Sequence, residues 1–465
     1  METRRNRTHR IYGMAVLASM LFFPMFAYGR NEQSYLPVVE LEFSALSRDT
    51  FSNAHIRVIG QKDTISMAAS VRHRGGSTTR YQKQSYAIKL KDENGLKTDT
   101  SFLGLRRDNY WILNAMAPDK ARMRNRVAMD LWLDFSAKPS YVEQEPAMQN
   151  GSNGQFVEVY VNGDYRGIYN LMERVDRKQL KLKKAKGDEI RGVLYKSVSW
   201  AGGIFEDPEP YDNTSGVWTS YEYQYPDVED SLITWEPLYN AFYFTSHSDT
   251  ETFRTEVATR YEIPVFTDYY LLAAILSARD NMGKNIYMSY YNIQTDSKLC
   301  PTPWDMDHSF GRQYNGTIEP PETEIPKWGR NLYNRMIEEV PGYNATLLNR
   351  YAELRRGAFR NDSLKARFDY YFELFQTSGA DLREEARWGG IDNIDLDFLY
   401  EQDYISQWLD ERLAYTDSVF SYSKEGAIKA TSLSEGNFPY KRIENGHIYI
   451  YNNNSKYNLV GLKIK

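Results

Sequence analysis

Apolar and polar positions alternate with a period of two through much of the first third of the chain. Val38 to Leu90 reads as strands, with Ser66–Arg74 and Ser85–Leu90 flanking a Gly-Gly-Ser-Thr-Thr loop. Asp119 reads as the N-cap of a helix running to about Phe135, with Met123, Val127 and Leu131 on one face. Phe156–Tyr160 and Gly167–Leu171 predict a hairpin around Asn162-Gly163, a pair suited to the positive φ of a tight turn. Further on the period changes. Thr267 to Ala278 is an apolar helix, and Asn331 to Phe420 is helical, broken at Gly379 and at Gly389-Gly390. Trp200 to Trp235 is acidic and aromatic without a clear period, and is expected as an insertion. Strands first and helices after point to an α+β protein, with a β-rich part at 36–175 and a helical part at 176–420. A polar link, Ser421 to Gly426, leads to a tail at 427–465, a candidate hairpin.

The N-terminus reads as an export signal. Arg4, Arg5, Arg7 and Arg10 precede an apolar stretch, Met14 to Tyr28, and Ala27-Tyr28-Gly29 offers a cleavage site. That stretch is shorter than the roughly 20 residues that span a bilayer. No cysteine follows it, which excludes a lipoprotein anchor. An uncleaved anchor helix is the rival reading. A signal peptide at 1–29 would leave a mature chain with no transmembrane segment, in a periplasm, at the cell surface or secreted.

Composition narrows the classes. Lys plus Arg (57) nearly balances Asp plus Glu (62), which argues against a partner that is a nucleic-acid polymer. The 42% hydrophobic share supplies a core. The single cysteine, Cys300, excludes an intramolecular disulfide and any cysteine-based zinc site.

The chemistry concentrates at 279–311. Arg279-Asp280, with Asn285 five residues beyond the aspartate, has the Arg-Asp-x-x-x-x-Asn spacing of a protein-kinase catalytic loop. The aspartate would orient an acceptor hydroxyl, and the amide oxygen would hold a divalent cation. A strand from Ile286 to Asn292, a turn and a second strand lead to Trp304-Asp305-Met306-Asp307-His308. Asp305 and Asp307, two apart, share one side of an extended chain and offer the hard oxygen ligands that Mg²⁺ or Mn²⁺ prefers. Alternatively both cap backbone amides in a surface turn. Upstream, Arg74, Gly75, Gly76 and Ser77 could lay backbone N–H groups over phosphates. Lys89, or its rival Lys83, would contact a phosphate. The helix from Asp119 has no glutamate to pair with either, so Asp130 or Asp134 would substitute. Glu173 would sit where a kinase hinge meets adenine, or pair with Arg174 or Arg177.

From about Leu36 to Phe420 the sequence resembles the CotH (spore coat protein H) kinase-like family. The likeness rests on Arg72–Ser77 with Lys83–Lys89, on Leu113–Asn125, on Val159–Glu173, and on Asp280, Asn285 and Pro303–Asp307. The resemblance implies a two-lobed protein-kinase-like fold and ATP-dependent phosphorylation of secreted or envelope proteins with Mg²⁺ or Mn²⁺. It makes Asp280 the catalytic aspartate, Asn285, Asp305 and Asp307 metal ligands, and Lys89 or Lys83 a phosphate contact. Two departures stand out. Gly76 occupies a position that is commonly asparagine in the family, and Met282 stands where a kinase has a lysine two after its aspartate, with Lys284 as a substitute. A non-catalytic envelope module, using the aromatic 200–235 stretch as a binding face, and a metal-dependent hydrolase on the same aspartates are the alternatives.

Overall fold

The computed structural model describes residues 35–199, 205–227, 232–325 and 331–423, and the backbone of four short segments within 440–464. The expected signal peptide lies outside the described residues. Strands β1 (Val38–Phe43), β2 (Ser52–Ile59), β3 (Thr64–Arg74), β4 (Ser85–Leu90), β5 (Tyr110–Asn114), β6 (Gly154–Val161) and β7 (Asp164–Glu173) form a closed barrel in the order β1-β2-β3-β4-β5-β7-β6. Every pairing is antiparallel except β1 with β6, which closes the ring. Closure leaves no unpaired edge. The period-two alternation turns one side of each strand inward, so Val39, Ile56, Val71, Ile88, Trp111 and Val157 fill the interior. The hairpin at Asn162-Gly163 is as expected, with φ of 50° and 81°.

Helix α1 (Arg124–Phe135) starts four residues later than the sequence suggests, with Met123 rather than Asp119 at its N-cap. Asp119 sits in a preceding turn and still reaches the first helical N–H. Its carboxylate accepts from the backbone N–H groups of Ala121 and Arg124 at 3.0 and 2.8 Å, while Arg122 takes a left-handed φ of 57°. The local turn that aspartate favours outcompetes early helix formation.

The rest of the chain carries α2 (Arg177–Leu180), β8 (Val193–Ser197), β9 (Val217–Trp218), β10 (Tyr221–Tyr225), α3 (Glu236–His247), α4 (Thr250–Arg260), α5 (Ile263–Leu276), α6 (Asp280–Gly283), β11 (Ile286–Tyr290), β12 (Cys300–Pro303), α7 (Leu332–Glu339), α8 (Tyr343–Arg355), α9 (Asn361–Ser378), α10 (Ala380–Trp388) and α11 (Phe398–Val419). The molecule is therefore α+β, sheet-rich first and helical after. Helix α5 is buried on all sides from Val265 to Leu276, which is why its sequence is apolar all round.

The 200–235 stretch corrects an expectation. Its described part supplies β9 and β10 to a second sheet, ordered β12-β11-β8-β10-β9. Trp218, Tyr221, Tyr223 and Trp235 are buried in the main core, so these aromatics do not form an exposed binding face. Tyr221 and Tyr223 do alternate, but over five residues between loops the period is too short to stand out.

The tail holds four short strands, β13 (Tyr440–Glu444), β14 (His447–Asn452), β15 (Ser455–Tyr457) and β16 (Lys463–Ile464), in an antiparallel meander rather than one hairpin. Among the described residues no helix is long and apolar enough to cross a membrane.

Candidate functional site

A cavity of about 620 Å³ lies between the barrel and the second sheet. It gathers Arg74, Gly75, Gly76, Lys83 and Lys89 from the barrel with Asn285, Asp305 and Asp307 from the later sequence. Eight lysine and arginine side chains line it against three carboxylates, Glu222, Asp305 and Asp307, so the chamber favours a polyanion. Ser77 opens a short 3₁₀ turn beside it, and its side chain lies outside the described residues.

Two expected residues do not line the chamber. Glu173 is buried, and its carboxylate accepts from the Arg106 backbone N–H at 2.8 Å and from the Gln179 amide at 3.0 Å. Its carboxylate is therefore a structural group, held by Arg106 and Gln179 rather than by Arg174 or Arg177. Asp280 is partly exposed and bonds His308, which does line the chamber.

The β3–β4 connection is built on glycine for a steric reason. Gly75 has φ of 121°, and a Cβ there would meet Thr78 Oγ1 at 2.1 Å. Beside it the Arg74 guanidinium stacks on the Trp304 ring at 5.1 Å, joining the loop to the aspartate segment.

The acidic end is assembled by the β11–β12 hairpin. Pairing of Ile286 with Pro303 puts Asn285 beside Trp304, whose N–H donates to the Asn285 carbonyl at 3.1 Å. Asn281, buried, fastens both sides by donating to the carbonyls of Asn285 and Trp304. Asn285 and Asp305 both have φ of 56° and sit in contact, the Asn285 amide donating to the Asp305 carbonyl at 3.5 Å. Two non-glycine residues held in the left-handed region mark a place the surroundings over-determine.

His308 ties the carboxylates together. Its Nδ1 is 2.8 Å from Asp280 Oδ2, and its Nε2 is 3.5 Å from Asp307 Oδ1. Lys284 Nζ approaches Asp280 Oδ2 at 3.0 Å. Burial works against the charge on His308, but Asp307 and the hydrogen bond to Asp280 carry its pKa up to about 9. Burial likewise opposes the charge on Asp280, yet the His308 hydrogen bond and charge, with Lys284, hold it at about 2. Asp307 goes the other way, since burial raises it, His308 opposes, and the neighbouring aspartates add to the rise. One carboxylate is held ionised, while burial disfavours the charge on the other.

Lys83 is fully engaged. Its ammonium donates to the Ile168 carbonyl and to Glu384 Oε1, both at 2.6 Å, and Arg122 Nε reaches the same Glu384 oxygen at 2.7 Å. The other Glu384 oxygen accepts from the Ile168 N–H, and a Cβ on Gly167 would lie 1.9 Å from it. Lys89 is exposed, its ammonium over the rings of Phe51 and Tyr110 at 4.5 and 5.8 Å. In α1, Asp130 bonds Arg126 and Tyr371, and Asp134 bonds Arg367, so neither serves a lysine of the cavity. Lys83 pairs with Glu384 of α10 instead. Ala380, Glu384 and Trp388, spaced by four on the buried side of α10, carried that signal in the sequence as a lone charge in a buried stripe.

The residues fit a hard divalent cation. Asp307 is 7% exposed and its Oδ1 has no hydrogen-bond partner, beside the amide of Asn285 and the carboxylate of Asp305 in one chamber. Among the described residues no group of three or more His, Cys, Asp or Glu could hold a metal alone. An ion here would need further oxygens from water or ligand, as Mg²⁺ commonly takes.

A family model described as CotH kinase protein matches residues 71–416, a span that contains all but the first strands of the barrel and every cavity segment from β3 to His308. No curated protein matches the chain.

Proposed function

The chain belongs to the CotH kinase protein family, and on that premise we propose that it transfers the γ-phosphoryl group of ATP to Ser or Thr hydroxyls of exported proteins. In this reading the barrel and the helical part act as the two lobes of a kinase-like fold, with the nucleotide in the cavity between them. The observation that carries it is the buried Oδ1 of Asp307, which makes no hydrogen bond and faces the His308 ring at 3.5 Å, in a chamber with an excess of basic side chains. A polyphosphate with its divalent ion satisfies both at once.

Asn285, Asp305 and Asp307 would hold Mg²⁺ or Mn²⁺, which neutralises charge on the β- and γ-phosphates when bound. The Gly75-Gly76 backbone and Arg74 cover and orient the phosphates. Asp280, kept ionised by His308 and Lys284, aligns the acceptor hydroxyl and accepts its proton. The bond from the acceptor oxygen to the γ-phosphorus forms as the bond to the β–γ bridging oxygen breaks. ADP leaves, and the proton passes from Asp280 to solvent. Export through the N-terminal segment would place the acceptor in the envelope or outside the cell.

The test is incubation with ATP carrying a labelled γ-phosphate, Mn²⁺ and casein as a generic acceptor. Label on Ser or Thr of casein or of the protein itself, lost in D280A, supports the reading. ATP bound without any transfer under these conditions, or transfer unaffected by D280A, overturns it.

A further inference from the structure

Of the two lysines singled out in the barrel, Lys83 is engaged in the interior and Lys89 lines the rim of the cavity. Lys83 is held by Glu384 and the Ile168 carbonyl, and Lys89 is exposed over two aromatic rings. A third lysine lies in the cavity between them. Tyr195 on β8 turns into the main core and stacks on Trp235, with ring centres 5.4 Å apart. Strand alternation sends the next residue, Lys196, to the opposite face, and it lines the chamber. Its cross-strand partners, Glu222 on β10 and Tyr287 on β11, line it too, so Lys196 stands in the middle of the sheet that forms one wall.

The Lys196 ammonium has no fixed partner: no side-chain hydrogen bond or ion pair joins it to another described residue. Burial, and then the Arg74 guanidinium, lower its pKa, with Asp305 and Glu222 opposing. Two cations therefore converge from β3 and β8 on one chamber, and an anion between them would relieve their repulsion.

We propose that Lys196 and Arg74 form the phosphate subsite of this cavity, Lys196 donating to the terminal phosphates from β8, the role a kinase gives to a barrel lysine. This assignment rests on the nucleotide reading above and names the group that recognises the polyphosphate.

The test is calorimetric titration of the full chain and of K196M with three probes: Mg²⁺ with ATP, Mg²⁺ with inorganic tripolyphosphate, and adenosine. The expected result is loss of at least about tenfold in affinity for ATP and tripolyphosphate in K196M, with adenosine unchanged. The melting temperature of metal-free K196M should equal or exceed that of the wild type, since the repulsion between Lys196 and Arg74 is removed. K196R, which keeps the charge, should recover most of the affinity, and if K196M fails to fold, K196Q takes its place in the titration. Wild-type binding of tripolyphosphate that K196M or K196Q retains within twofold overturns the assignment. No binding of any phosphate probe by the wild type would sink the nucleotide reading itself, an outcome distinct from a failure at Lys196 alone.

Discussion

Lys83 and Glu384 stand 301 residues apart in the chain and meet at 2.6 Å in the interior, side chains 2% and 0% exposed. The pair joins the β3–β4 loop to α10, with Arg122 as a second cation on the same carboxylate. Removing one partner of a buried ion pair leaves an uncompensated charge and costs about 3–5 kcal/mol. E384Q should therefore lower the unfolding free energy by about that amount, read as a shifted denaturant midpoint.

The same carboxylate gives a pH dependence. Burial would raise Glu384, but Lys83, Arg122 and the Ile168 N–H hold it below its ordinary value of 4.5. An acid with a depressed folded pKa stabilises the fold above its unfolded value and loses that contribution as the pH falls through the folded one. The melting temperature should drop below about pH 4.5, and E384Q should show a flatter profile there. Equal slopes in the two proteins would refute the assignment.

Asp307 carries a cost that binding repays. Its Oδ1 is buried without a hydrogen bond, with only the His308 ring at 3.5 Å, and burial disfavours its charged form. D307N should raise the stability of the metal-free protein by about 1–3 kcal/mol while removing the stabilisation that Mg²⁺ with ATP confers. Thermal melts with and without the ligands read both effects together.

His308 acts through Asp280 as a positioning residue. H308Q should lower kcat about 10- to 100-fold, with a smaller change in the KM for ATP, because Asp280 loses the partner that orients and ionises it. The pH–rate profile should change with it, which a merely structural role would not produce.

Gly75 is constrained by φ of 121° and by Thr78 Oγ1, 2.1 Å from where a Cβ would sit. G75A should cost about 1–3 kcal/mol at the loop and weaken ATP binding accordingly. A variant binding ATP as the wild type does would show that the loop does not cover the phosphates.

Much of this was legible in the sequence, for local reasons. The Asn162-Gly163 turn, the strands flanking Gly75-Gly76 and the glycine breaks among the later helices depend on neighbours a few residues away, and period and turn chemistry disclose them. Asn285, Asp305 and Asp307 were legible because one short hairpin brings them together. What stayed hidden depends on contacts across the chain. Glu384 completes Lys83 from α10, and Arg106, just before β5, claims Glu173 at the end of the neighbouring β7. Lys196 gains meaning only once β8 is seen beside β11, a pairing of segments about 90 residues apart with no local signature.

The most direct test of a metal-assisted nucleotide site is the Kd for ATP, measured by calorimetry with Mg²⁺ and with EDTA, in the wild type and in D307N. The expected result is wild-type binding that weakens at least about tenfold without the metal, and D307N binding that is weak in both conditions. ATP binding that ignores both the metal and Asp307, or no binding at all, would contradict the account.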